Sequence, residues 1–358
     1  MPGVGEMLRL ARQRKGFPQK EAARRTGIAQ PLLSRYENGV ADPDEEFLSK
    51  VALVYEVPRQ FFDLREPVYG PPVSVHPMPR AKADVTTRDL DIVTAELNIR
   101  VMQMRRFLEA VDFHPTASVP SLDIEQYGSP EKIAAVLRAH WMLPSGPVKN
   151  LTALAEAAGV VVGTSDFAGA SISGMTFRVP GQPPLVLLNA FHPADRMRLT
   201  LAHELGHLVM HRFPTPSMEE EAYSFGAALL MPPEEMKNAF NSRRITLDLL
   251  AALKPEWRVS MQALLMCAKK LGYVDYNQSR YLWQQLSAKG WRLREPPELD
   301  FEHEHPSVLR TIIKAHFKMG FSLSDLCNLV PLHERDFLQM YGPIDDDSPP
   351  RPRLRLVV

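Results

Sequence analysis

Leu90, Val93, Leu97, Val101, Met104, Leu108 and Val111 recur at alternating spacings of three and four, which predicts a long amphipathic helix. Such a stripe either lies on its own domain or pairs with a second copy as a coiled coil, for which three heptads are the lower limit. Ahead of it, apolar positions fall into short helical groups at 7–15, 19–26, 31–37 and 45–55, and these read as one helical unit over 5–63. Between the two, Pro67, Pro71, Pro72, Pro77 and Pro79 recur without helical period and mark a semi-rigid extended linker. Behind the stripe, a helix near 149–158 precedes β-prone runs at 160–162, 171–177 and 185–188, separated by Gly163, Gly169, Gly181, Pro183 and Pro184. Helical periodicity returns at 194–212, at 218–230 and over most of the remainder, including 306–340. The stretch 345–353 is acidic, then rich in proline and arginine, and reads as disordered.

The pattern predicts an α+β, mainly helical chain. Its expected divisions are a helical head at 1–66, a linker at 67–85, a domain with a small sheet at 86–295 led by the long helix, a helical C-terminal region at 296–341, and a disordered tail at 342–358. A length of 358 residues exceeds one ordinary hydrophobic core and agrees with several units.

Composition narrows the function classes. The formal net charge is zero, so any attraction to nucleic acid has to be local. It is local in the head, where Arg9, Arg12, Arg14, Lys15, Lys20, Arg24, Arg25 and Arg35 face Glu21 alone between positions 9 and 35. Two cysteines, Cys267 and Cys327, are too few for a disulfide framework or a cysteine-rich zinc site and fit a reducing compartment. No run approaches the roughly eighteen apolar residues of a membrane span, so the expectation is a cytoplasmic protein without membrane contact.

The segment Leu199-Thr-Leu-Ala-His203-Glu204-Leu-Gly-His207 puts two histidines four apart in an apolar helical pattern. Positions i and i+4 stack on one helix face about 6 Å apart, so both imidazoles can meet one zinc ion while Glu204 stands beside it as a general base. The pattern arises by chance in about one such chain in fifty, so its context has to add weight. A catalytic zinc needs a third protein ligand downstream, and Glu219, Glu220 and Glu221 open the next helix, where they read either as ligand or as a solvated acidic helix start. His211 lies about 12 Å along the axis from His203 if the helix continues, too far to share the ion, and suits a supporting or substrate-facing role. A third histidine at metzincin spacing would fall on Phe213.

These motifs, with Leu185-Val-Leu-Leu-Asn189 before them and Glu219-x-x-Ala222-x-x-Phe225 and Ala228-Leu-Leu-Met-Pro232 after, resemble the ImmA/IrrE family of metallopeptidases. The resemblance covers roughly 150–294. It implies a gluzincin-like fold in which His203, His207 and Glu219 hold zinc and Glu204 is catalytic, with peptide hydrolysis as the reaction. Tyr223 stands where family members usually have Asp or Asn; Tyr223, His211 and His192 are candidates for a further oxyanion donor.

In the head, Gln19-Lys-Glu-Ala22-Ala23 through Gly27-Ile28-Ala-Gln30-Pro31-Leu-Leu33-Ser34-Arg35 to Asn38-Gly39 resembles the helix-turn-helix of the XRE, lambda-repressor-like family over residues 5–63. Proline suits a first helical turn, which directs Gln30, Pro31, Ser34 and Arg35 toward bases, with Gln19, Lys20, Arg9 and Arg12 near phosphate. Ala29 stands where the family commonly has Ser or Thr, so the usual cap is missing. The resemblances together imply a transcriptional regulator that binds operator DNA as a homodimer and cleaves a protein, a partner repressor being the expected one. The alternative is a regulator or antitoxin-like module whose zinc domain senses a ligand or binds a partner without hydrolysis.

Overall fold

The computed structural model describes residues 3–71, 74–77, 86–167, 172–241, 244–342 and 354–356. Four helices form the head: α1 (Val4–Arg14), α2 (Gln19–Thr26), α3 (Gln30–Glu37) and α4 (Glu45–Tyr55). Gly27 ends α2 at φ 73°, a left-handed turn that a side chain would resist. Asp44 caps α4 by accepting from the Phe47 amide. The Ala29 side chain makes no cap bond to α3, and Pro31 occupies its first turn, both as the sequence predicts.

Strand β1 (Ser74–Pro77) follows, then the 22-residue helix α5 (Thr87–Leu108), started by a capping box between Thr86 and Asp89. Two faces of α5 are buried. Val93, Leu97, Val101, Met104 and Phe107 join the core beneath the sheet, while Ala95, Ile99 and Met102 complete the core of the head with Met7, Leu8, Leu33, Tyr55 and Phe62. The stripe therefore packs within its own chain, which settles against the coiled-coil alternative for it; Val111, its predicted last member, already belongs to strand β2 (Val111–Phe113). Arg14 of α1 reaches Glu96 at 3.0 Å, and Glu96 also pairs with Arg100 at 2.8 Å. Burial pushes the Glu96 carboxyl up, but the two guanidiniums outweigh it and hold it at about 2, so the join between head and α5 is charged.

Helices α6 (Ile124–Tyr127), α7 (Pro130–His140) and α8 (Leu151–Ala157) lead into β3 (Val161–Ser165), β4 (Ile172–Phe177) and β5 (Leu185–Asn189). The sheet order is β1-β4-β5-β3, with β3 parallel to β5 and the other pairings antiparallel. Ser74–Pro77, expected within the semi-rigid extended linker, pairs with β4 as an edge strand. In β5, Leu185 and Leu187 point into one core and Val186 and Leu188 into another. This is why the run reads as continuously apolar rather than alternating: both faces of the strand are covered.

One face carries α9 (Ala194–Met210), α10 (Met218–Leu230), α11 (Pro233–Phe240), α12 (Leu247–Trp257), α13 (Met261–Lys270) and α14 (Tyr276–Ala288). The other carries α5 together with α15 (Val308–Lys318), α16 (Leu323–Leu329) and α17 (Glu334–Tyr341). The C-terminal helices thus pack on the sheet layer. The Glu156 carboxylate anchors them by accepting from the Ser307 and Val308 amides at 2.9 Å each and from the Ser307 hydroxyl at 2.7 Å, satisfying the start of α15. Strand β6 (Leu354–Leu356) pairs antiparallel with β2, where the sequence predicts disorder; the predicted disordered stretch 345–353 lies outside the described residues.

Candidate functional site

Helix α9 is buried on nearly every side, as a helix lying between a sheet and further helices must be. Two buried ion pairs fix its first turns. Lys254 of α12 sits between Asp195 at 2.6 Å and Glu295 at 2.8 Å, all three largely buried; burial alone would lower the Lys254 pKa, but the two carboxylates raise it. Arg198 pairs with Glu304 and donates to the Val148 carbonyl at 2.7 Å.

Helices α9 and α10 cross at backbone contact. A Cβ on Gly226 would lie 2.8 Å from the His203 nitrogen, and one on Gly206 would lie 3.1 Å from the Ala222 Cα. At Gly226 a side chain would force the two backbones apart, and at Gly206 it would be a tight fit. The close crossing brings the first turn of α10 over the His-Glu-x-x-His turn of α9.

The consequence is a cluster of His203, His207 and Glu219 whose donor atoms all lie within 4.8 Å of one another. The two imidazole Nε2 atoms are 3.0 Å apart; Glu219 places Oε2 3.3 Å from His203 and Oε1 3.5 Å from His207. Four-coordinate bonds of about 2 Å separate tetrahedral donors by about 3.3 Å. The triangle has that size and is made of two neutral-capable imidazoles and one carboxylate, so it could hold a divalent cation.

Glu204 is wholly buried beside the cluster, and the Thr176 hydroxyl of β4 donates to its Oε2 at 2.6 Å. The chain turns extended at His211 (φ −108°, ψ 110°), so α9 ends at Met210, short of the predicted 212. This turn folds the His211 ring back: its Nδ1 lies 3.0 Å from Nδ1 of His207, and its Nε2 lies 3.0 Å from Oε2 of Glu221. A relay thus runs from the Glu221 carboxylate through His211 to the far nitrogen of His207. Tyr223 points elsewhere, donating to the Met266 sulfur at 3.5 Å, and burial raises its phenol pKa. Phe213, at the metzincin position, is 77% exposed.

Sequence reasoning missed Thr176 and the role of Glu221. Glu221 left a signal, a second carboxylate two residues after Glu219. Thr176 left none, because only the packing of β4 on α9 brings it to Glu204.

In the head, Gln30, Pro31 and Arg35 are exposed along α3 and Lys20 is exposed on α2, while Ser34 is half-buried and accepts from Asn38 at 3.3 Å. Gln19 accepts from Gln30 at 3.0 Å and donates to Glu37 at 2.9 Å. Arg12, expected near phosphate, is turned inward instead, with Nε 2.6 Å and Nη2 2.9 Å from the buried Glu37 carboxylate. Arg9 is half-buried and donates to the Glu37 carbonyl and the Asn38 side chain at the end of α3. Arginine close to a buried glutamate pairs with it before it pairs with solvent-side anions, and sequence order hid that pairing across 25 residues.

Two family models match the chain: a helix-turn-helix over residues 8–62 and an IrrE N-terminal-like domain, of the M78 peptidases, over residues 155–269. The head is similar to the HTH-type transcriptional regulator ImmR of Bacillus subtilis (strain 168), 43% identical over 54 residues, 15% of this chain and 42% of that protein. It is also similar to the HTH-type transcriptional regulator SlrR of the same organism, 35% identical over 68 residues, 18% of this chain and 45% of that one. The chain spans less than half the length of these curated relatives. No helix among the described residues is long and apolar enough to cross a membrane.

Proposed function

We propose that this chain, which joins an XRE-type helix-turn-helix head to an IrrE-like domain, is a DNA-binding transcriptional regulator that also hydrolyses peptide bonds with zinc, a partner repressor being the expected substrate. The observation that carries the hydrolytic half is the triangle of two imidazoles and one carboxylate at tetrahedral spacing with buried Glu204 beside it. His203, His207 and Glu219 would hold the ion. When bound, zinc supplies Lewis acidity to a water and to the scissile carbonyl. Glu204 takes the proton of the attacking water and returns it to the leaving amine. Thr176, donating to one oxygen of that carboxylate, fixes its orientation. His211, steadied by Glu221, holds His207 with its Nε2 toward the cluster.

The test is to measure zinc per chain and then cleavage of candidate repressors by wild type and by Glu204→Gln; equal behaviour with zinc present overturns the hydrolase reading. A non-hydrolytic regulator whose zinc domain senses a ligand is the second reading. It is favoured by Tyr223, whose hydroxyl is engaged by Met266 instead of facing the cluster. The supporting relay has its own expected outcome. His211→Ala and Glu221→Gln should each weaken zinc affinity about 10- to 100-fold, read by competition with a chelating dye, because an unsupported imidazole loses its fixed tautomer. Unchanged affinity in both variants would remove the relay from the site.

For the head, the exposed stretch of α3 is the proposed base-reading surface, and a homodimer on a palindromic site provides the span that one such unit lacks. Gln30 is pre-positioned by Gln19, which Glu37 holds in turn. Arg35→Ala should weaken binding to an operator selected from random duplexes by about tenfold to a hundredfold and relax the preference at one base position. A loss equal for all sequences would instead make Arg35 a phosphate contact.

A further inference from the structure

Within the segment matched by the IrrE-like family model, β4 is the outer strand of the sheet, and β1 lies outside both matched segments. Strand β4 runs along α9: a Cβ on Gly174 would meet the Thr200 side chain, the Thr176 hydroxyl meets Glu204, and Arg178, just past β4, donates to the Leu208 carbonyl at 2.7 Å. Successive residues of α9 turn by about 100°. Leu201 and Leu205 join the core that Val186 and Leu188 of β5 enter, Glu204 faces β4, and His203 and His207 stand about 60–100° further round in the same sense. The cluster therefore lies on the side of β4 away from β5, which is the side on which β1 pairs. In the register, Ser74 is opposite Thr176, one strand spacing of about 4.8 Å from the residue that holds Glu204. We propose that β1 occupies the edge at which an extended segment of a protein substrate would pair, so that the chain's own linker and the substrate compete for β4, an inference that rests on the hydrolase reading.

Backbone chemistry argues for a strand that can leave. The edge of a sheet offers main-chain N–H and C=O groups to any extended peptide, whatever its side chains. Strand β1 is four residues long, its register shifts between His76 and Pro77, and Pro77 has no N–H to give the ladder. By contrast, β3 pairs with β5 over five residues and carries Val161 into one core and Val162 into the other. An incoming strand restores the ladder bonds that the departure of β1 breaks, so the exchange conserves hydrogen bonds on β4. While β1 holds the edge in all but about a tenth of the molecules, the apparent affinity for substrate is about tenfold below that of the bare edge.

The test uses the zinc-loaded full chain. In the double variant Ser74→Pro, Val75→Pro, one of the two lost N–H groups is the one that points at β4, because successive residues of a strand alternate. On a Glu204→Gln background, a fluorescein-labelled peptide with the sequence of residues 69–79 should bind this variant at least about tenfold more tightly than the chain with β1 intact, and equal affinity overturns the proposal. With Glu204 restored, the variant should cleave the fastest-cut peptide of a digested bacterial proteome with a KM lower by about the same factor and with unchanged zinc content. Slower cleavage together with a lower melting temperature makes β1 a structural strand and overturns its role as a competitor. If the proline variant does not fold, Ser74→Gly, Val75→Gly, which loosens the strand without a clash, should move both readouts in the same direction, and no movement overturns the proposal. If neither chain cuts any peptide faster than its Glu204→Gln form, the hydrolase reading itself fails. In that case tighter peptide binding by the variant marks β4 as a docking edge unrelated to cleavage and overturns competition with a substrate.

Discussion

Glu204→Gln is expected to bind zinc as wild type does and to cleave the same peptides about 10²- to 10⁴-fold more slowly. Glutamine keeps the shape of the buried side chain, and its amide oxygen can still accept the Thr176 hydroxyl. It cannot accept a proton from water at neutral pH. His203→Ala removes a donor instead and should lose the metal first and activity as a consequence. Zinc content by atomic absorption, measured beside cleavage by mass spectrometry, therefore separates chemistry from binding. Full activity in Glu204→Gln with stoichiometric zinc would leave the wholly buried carboxylate as a packing element and transfer the base role elsewhere.

The largest stability effect should come from Lys254→Met. Lys254 is 1% exposed and sits between two carboxylates, Asp195 on the first turn of α9 and Glu295, which also accepts from the Met261 and Gln262 amides at the start of α13. Removing the cation leaves two carboxylates facing each other in a site with little water, at a cost of about 3–5 kcal/mol. For a domain of this size that lowers the melting temperature by on the order of 10 °C, measurable by calorimetry. Adding Asp195→Asn and Glu295→Gln should recover a large part of the loss, because the penalty comes from uncompensated charge rather than from lost methylenes. An unchanged melting temperature in the single variant would show that water enters the site and screens it. Since Asp195 starts the helix that carries His203 and His207, zinc affinity should fall along with stability.

Local chemistry made much of the site legible in advance. The His-x-x-x-His spacing puts two rings on one face of any helix, whatever surrounds it. The acidic start of the next helix supplied a nearby carboxylate, and the glycine and proline signals of the head reproduced the bounds of α2 and α4. These features depend on neighbours within a few residues, so the chain order carries them.

Other features depended on which surfaces meet. The stripe on α5 looked the same whether its partner was a second copy or its own sheet; the fold decided, because β4, β5 and α15 already offered an apolar face. Arg12 had the composition of a phosphate contact and became a buried partner of Glu37. Thr176 reached Glu204 only through the packing of a strand on a helix 28 residues away. By itself the sequence determined the helix that carries the histidines, the glutamate between them and the helical order of the head, since periodicity and spacing act locally. The tertiary structure alone decided how two glycines let α9 and α10 touch, which carboxylate closes the triangle and which supports it, and which segment covers the edge of β4. Those outcomes are set by contacts between segments whose separation along the chain encodes nothing of their distance in space.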